Sequence, residues 1–161
     1  MPPLDKEGPV TLSVLDRLID QEPDRTLEPL MTRAQSLREL RAALRRDLEW
    51  LLNTRCTIET PPESLQEVGR SVYNYGVHDT TSLYLLSSKD QEFLAKSIKT
   101  AIKLFEPRLQ AIKVNLAPSS DEVRGIHFTI EGLLRMDPAP ELVFFDTLLD
   151  LSKGEYAVKS T

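Results

Sequence analysis

Glu106, Pro107 and Arg108 are the residues of this chain whose types and spacing ask most for a chemical explanation. They lie where a helical apolar stripe ends, and a carboxylate there faces the negative end of the helix dipole, which disfavours it by about 0.3 kcal/mol or more. Proline disfavours helical geometry at the residue before it and has no N–H to donate, so the chain must turn at this point. Arg108 can offset the misplaced carboxylate as a local surface pair contributing about 0–1 kcal/mol. The alternative is that both side chains meet a partner protein, where the planar fork of arginine binds a carboxylate through two hydrogen bonds. Spacing alone leaves both readings open, and on either of them the isolated chain keeps its fold when one of the pair is replaced.

Other reactive side chains are few. Cys56 is the only cysteine, so an internal disulfide is impossible and a four-ligand zinc site lacks its thiolates. It follows a leucine-rich helix with no histidine near it in sequence, which makes it a small buried thiol rather than a nucleophile. His78 and His127 are the only imidazoles. A Ser/His/Asp hydrolase would have to use one of them, and alternation puts His127 on a surface face. No glycine sits in a strand-turn-helix followed by Lys-Ser or Lys-Thr, so nucleotide hydrolysis is unsupported. The 25 acidic residues make some carboxylate pair at glycosidase spacing inevitable, which gives such a pair no weight. Trp50, flanking an arginine-rich helix, is expected at the edge of the core rather than as an exposed anchor.

These residues belong to a chain of 161 residues, 40% hydrophobic and 28% charged, within the range of one folded domain. The longest uncharged run, Thr80 to Ser88, has nine residues, well short of the ~18 that a membrane-spanning helix needs. The first thirty residues are acidic, the opposite of a basic-then-apolar export signal, so a cytoplasmic location is expected. The net charge of −5 and pI near 5.1 argue against nucleic-acid binding, although the two best helical segments are net basic.

The elements that must position the Glu-Pro-Arg corner can be read from periodicity. The first nine residues read as a flexible tip. Val14, Leu15, Leu18 and Ile19 mark a short helix started by Ser13 and Asp16. Ser36 and Glu39 have capping-box spacing ahead of a long helix whose stripe is Leu37, Leu40, Leu44, Leu48 and Leu51. Ser64 and Glu67 repeat that spacing before a second short helix ending near Asn74-Tyr75-Gly76, and Ser88 and Gln91 repeat it before Leu94, Ile98, Ala101, Ile102 and Phe105. Beyond Pro107 the period becomes two, predicting strands over 108–116, 123–135, 141–151 and 155–159, with turns at Pro118-Ser119-Ser120-Asp121, Asp137-Pro138 and Ser152-Lys153-Gly154. Short connections between sequential strands give an antiparallel meander. The expected class is α+β, with N-terminal helices followed by a mainly antiparallel four-stranded sheet.

Taken in order, Ser13-Val14-Leu15-Asp16-Arg17-Leu18, the arginine-rich helix Leu37 to Trp50, Tyr73-Asn74-Tyr75-Gly76 and Phe105-Glu106-Pro107-Arg108-Leu109, followed by strands joined through Asp137-Pro138, resemble the TssE family of type VI secretion baseplate subunits. The likeness runs from about residue 12 to 158. That family is similar to the phage tail-wedge proteins of the gene-25-like lysozyme group. The resemblance implies residues 1–35 as an arm with a short helix and 36–161 as a single α+β gene-25-like domain. It implies a noncatalytic wedge subunit without a cofactor that helps assemble the baseplate and initiate polymerisation of the contractile sheath. The implied partners are TssF and TssG, with TssK and the VgrG hub nearby, and the sheath proteins TssB and TssC. Glu106, Pro107 and Arg108 carry over as partner-binding residues of the wedge core. Outer strands expose unpaired backbone groups, and Glu155 to Lys159 is the edge expected to take an extended sheath arm. Two alternatives stand beside this reading: a muramidase acting on peptidoglycan, and the equivalent wedge subunit of a phage tail or extracellular injection particle.

Overall fold

The computed structural model describes residues 8–19, 23–24, 31–57, 59, 61–79, 87–116 and 125–160. Residues 1–7 of the expected tip, the stretch 80–86 and the Pro118-to-Asp121 turn lie outside the described residues. The chain divides into two compact units, Met1–Leu44 and Arg45–Thr161.

In the first unit, Ser13 caps helix α1 (Val14–Leu18) as the sequence predicts, its hydroxyl accepting from Asp16 N at 3.1 Å. Helix α2 (Arg33–Asn53) begins here and continues into the second unit. It starts earlier than the Ser36–Glu39 spacing suggests. Thr32 and Gln35 form the reciprocal cap instead: Thr32 N donates to Gln35 Oε1 at 2.9 Å, and Gln35 N donates to Thr32 Oγ1 at 3.3 Å. Once a helix is nucleated each added residue gains a hydrogen bond, so the earlier of two competing caps prevails. Ser36 is left inside the helix and buried, its hydroxyl donating to Arg33 O and accepting from Val10 N, both at 2.9 Å.

The second unit holds the end of α2, the single turn α3 (Gln66–Gly69), a 3-10 turn (Val72–Asn74), helix α4 (Ser88–Phe105) and strands β1 (Leu109–Leu116), β2 (Gly125–Leu134), β3 (Glu141–Asp150) and β4 (Glu155–Ser160). The strands form one sheet in the order β1-β2-β3-β4, every neighbouring pair antiparallel. The class is therefore α+β with the predicted meander. The caps proposed for α3 and α4 do not form: Leu65 and Ser87 occupy the cap positions, and neither makes a side-chain cap bond.

Alternation decides which strand residues enter the core. Ile126, Phe128, Ile130 and Leu134 of β2 and Val143, Phe145 and Leu149 of β3 are buried, as are Leu94, Ile98, Ala101 and Ile102 of α4 and Leu48, Leu51 and Leu52 of α2. Strand β1 departs from simple alternation, because Leu109 and Ile112 are both buried although three residues apart. The register shifts between Gln110 and Lys113, and Ala111 in the gap has φ +50°. One extra residue in this strand restores the inward aim of Ile112 after Leu109, which is what a β-bulge does.

The outer edge of β4 is not open. Asn53 uses both ends of its amide on Tyr156, donating Nδ2–H to Tyr156 O and accepting Tyr156 N–H at Oδ1, each at 2.8 Å. Arg45 Nη1 donates to Val158 O at 3.2 Å. Side chains of α2 thus occupy Tyr156 N, Tyr156 O and Val158 O, backbone groups that an incoming strand at Glu155–Lys159 would need, which argues against that edge as the site of strand addition.

Alanine in the left-handed region carries a steric cost of about 1–2 kcal/mol that glycine lacks, partly offset by the extra freedom glycine gives the unfolded chain. Ala111→Gly is therefore expected to raise the free energy of unfolding by about 0.5–1 kcal/mol in urea denaturation. A loss of stability would show that the bulge is not strained.

Candidate functional site at the Glu-Pro-Arg corner

The corner is built by the end of α4 and the start of β1. Glu106 caps α4 outside helical geometry, with φ −122° and ψ 76°, while its N–H still donates to Ile102 O at 2.8 Å. A turn through exposed Pro107 closes with Leu109 N–H donating to Glu106 O at 3.1 Å, and Arg108 O accepts from Arg135 N at 2.8 Å across to the end of β2. The backbone around the motif is thus held from both sides.

The side chains complete the corner. Glu106 Oε1 accepts from Arg108 Nε at 2.6 Å and Oε2 from Nη2 at 2.5 Å, a two-pronged ion pair. Arg108 N–H adds a third contact to Oε1 at 3.3 Å. Spacing alone allows either a local surface pair or two side chains that meet a partner protein. The observed pair joins Glu106 to Arg108 within the chain, and it is not on the surface: the Glu106 side chain is only 6% exposed and that of Arg108 23%. The compensation demanded by a carboxylate at the negative helix end comes from this fork.

A second carboxylate belongs to the site and escaped the sequence reading. Asp47 of α2 accepts from Arg108 Nη2 at 2.6 Å through Oδ2, and from Arg46 Nε and Nη2 at 2.9 and 2.7 Å through Oδ1. The Arg46 guanidinium lies 5.0 Å above the Trp50 ring. Trp50 is 54% exposed, so it is a surface residue rather than the core-edge residue expected. The result is a chain of alternating charge, Arg46, Asp47, Arg108 and Glu106, that is neutral in sum and runs from an exposed tryptophan to a buried carboxylate. Sixty-one residues separate Asp47 from Arg108, and nothing in local spacing links them.

The electrostatics follow from this order. Hydrogen bonding to Glu106, followed against the opposing effect of burial by the charge of Glu106 and then by the hydrogen bond and charge of Asp47, holds the Arg108 guanidinium protonated more firmly than usual. Arg108 Nη1 is buried and has no hydrogen-bond partner among the described residues. Tyr75 packs edge-on against Phe105 at 5.2 Å between centroids, and burial, then the charges of Asp47 and Glu106, push its phenol above the ordinary value. Both carboxylates accept from arginine, so the charges of the corner are held in direct contact.

A family model described as baseplate wedge protein gp25 matches residues 38–139. The chain belongs to that baseplate wedge family. A search of curated proteins finds no match. The span shared with the wedge family contains Asp47, Glu106, Pro107 and Arg108, and therefore the whole ion-pair chain. Among the described residues no helix is long and apolar enough to cross a membrane, and no group of three or more His, Cys, Asp or Glu is placed to hold a metal ion. His127 is half-buried on β2 opposite Leu148. Cys56 is half-exposed rather than buried, and its thiol lies 3.5 Å from His78 Nδ1.

Removing one partner of a buried pair leaves the other charge desolvated and costs about 3–5 kcal/mol. Arg108→Ala is expected to lose about that much in urea unfolding, whereas Asp47→Ala, at a side chain 24% exposed, should lose about 1–2 kcal/mol. Equal and small losses for the two variants would show that the corner behaves as a surface pair.

Proposed function

We propose that this chain is a noncatalytic structural subunit of a type VI secretion baseplate wedge, with residues 36–161 as its gene-25-like domain and residues 1–35 as an arm. On this reading it works in the cytoplasm with TssF and TssG, close to TssK and the VgrG hub, and helps seed the TssB and TssC sheath. The observation that carries the proposal is membership of the baseplate wedge family over residues 38–139. The segment Ser13 to Leu18, which lies outside that match, favours a secretion machine over a phage tail or an extracellular particle.

Glu106, Pro107 and Arg108 serve this function as a rigid corner presented to the wedge. Glu106 and Arg108 spend their charges on each other and on Asp47, so the surface offered to a partner is the exposed ring of Pro107 on a backbone that the ion pairs fix. Rigidity matters because an interface that is already ordered loses less conformational entropy on association. The same arrangement supports a noncatalytic role: the most buried carboxylate of the corner, Glu106, already has both oxygens engaged by the Arg108 fork.

Pro107→Asp separates partner binding from folding, since Pro107 is exposed and contributes no hydrogen bond of its own from nitrogen. The variant is expected to unfold within about 1 kcal/mol of the parent, as surface substitutions do, yet to recover less than a tenth as much TssF and TssG by co-purification from cells. Recovery equal to the parent would make the corner a purely internal brace. Release of soluble peptidoglycan fragments by the purified chain would instead favour the muramidase reading.

A further inference from the structure

A second group of side chains, none of which belongs to the ion-pair chain, is brought together from distant sequence by one glycine. Arg55 and Val77 form a parallel bridge in which Cys56 N–H donates to Val77 O at 3.1 Å and Val77 N–H to Thr54 O at 2.9 Å. Residues directly opposite in such a pairing project to the same side, so Cys56 and His78, one step further along each segment, come side by side. Gly76 makes the approach possible: its φ is +117°, and a Cβ there would stand 2.3 Å from Thr54 O. The outcome is the 3.5 Å contact between Cys56 Sγ and His78 Nδ1, with the imidazole held edge-on against Phe93 at 6.1 Å.

This thiol-imidazole pair opens onto a cavity of about 340 Å³. Phe93, Leu104 and Phe105 give it apolar walls, and Lys96 adds an ammonium group on the α4 side. The donor set specifies a ligand with three properties: an apolar body for the walls, an anionic group for Lys96, and an electrophilic centre within reach of sulfur. The volume suits a small molecule rather than a folded segment.

We propose that the cavity binds low-molecular-weight disulfides that carry an apolar body and an anionic group, and that Cys56 captures them by thiol-disulfide exchange. His78 Nδ1 takes the proton from the Cys56 thiol, and the thiolate attacks one sulfur of the bound disulfide. A new bond forms between Cys56 Sγ and that sulfur as the original S–S bond breaks. The second half departs as a thiolate, and the imidazolium passes its proton to solvent. Cys56 is the only cysteine in the chain, so no internal thiol resolves the adduct, and it persists until an external thiol reverses the exchange. The cavity would thereby give the wedge subunit a covalent, reversible mark set by the thiol-disulfide balance around it.

The test uses the full chain and 5,5′-dithiobis(2-nitrobenzoate), an aromatic disulfide with carboxylates, following the coloured thiolate it releases. Binding before exchange predicts a rate that saturates with reagent concentration and, under limiting reagent, exceeds that of the same chain unfolded in urea by at least about tenfold. His78→Ala, at an exposed position, should fold normally and react at least about tenfold more slowly, within the range a positioned base supplies. Lys96→Glu should raise the half-saturating concentration for this carboxylate-bearing reagent about tenfold, worth about 1.4 kcal/mol. A rate that rises linearly and matches the unfolded chain, or a His78→Ala variant as fast as the parent, would overturn the proposal. An unchanged half-saturation in Lys96→Glu would overturn the anionic ligand class.

Discussion

The two-pronged ion pair between Glu106 and Arg108 is the interaction on which the second unit's geometry depends. It sits where α4, ending at Phe105, hands over to β1, starting at Leu109, through a turn of only three residues. Proline forces the turn, but proline alone would leave a carboxylate buried at the wrong end of a helix dipole. Arg108 resolves that conflict and, by reaching Asp47, adds α2 to the same corner. Three elements are then fixed by one guanidinium. A pair of this kind contributes little net stability compared with apolar residues of the same shape, because desolvation offsets the attraction. Its effect is to penalise every arrangement in which the three elements do not meet.

Much of this architecture can be read from local pattern. The leucine and isoleucine stripe of α4, the switch from period 3.6 to period 2 after Pro107, and the turn residues between strands are all local signals, and the α+β meander follows from them. Local signals fail where two of them compete or where the partner is remote. Thr32 with Gln35 and Ser36 with Glu39 carry equivalent cap spacings, and only the economy of extending an existing helix selects the first. The β1 bulge rests on a single alanine in an unusual conformation, which carries no sequence mark. Asp47, Asn53 and His78 each act on a residue that is 22 or more positions away, at Arg108, Tyr156 and Cys56. Periodicity is silent about contacts at that range. The motif Glu106-Pro107-Arg108 was visible as a problem in helix electrostatics, but its solution needed the fold.

Membership of the baseplate wedge family fits a chain whose charged residues are arranged for rigidity. In the corner, charges cancel along a line from Arg46 to Glu106, and on β4 Asn53 and Arg45 take up backbone groups of Tyr156 and Val158. Both devices spend polar groups on internal order. A subunit ordered in this way meets its neighbours with less entropy to lose, which suits an assembly made by successive docking of preformed parts. On the proposed reading, function is carried by shape, and Glu106, Arg108 and Asp47 serve it by holding that shape.

The measurement that bears most directly on this account is a double-replacement cycle at Glu106 and Arg108, with leucine at each position singly and together, read by urea unfolding. If the pair acts by penalising its own separation, the double variant will be more stable than either single variant, with a coupling of about 2 kcal/mol or more, because neither member is left charged without the other and Asp47 keeps its contact with Arg46. Losses that simply add would contradict the account, since they would mean that neither side chain senses the other.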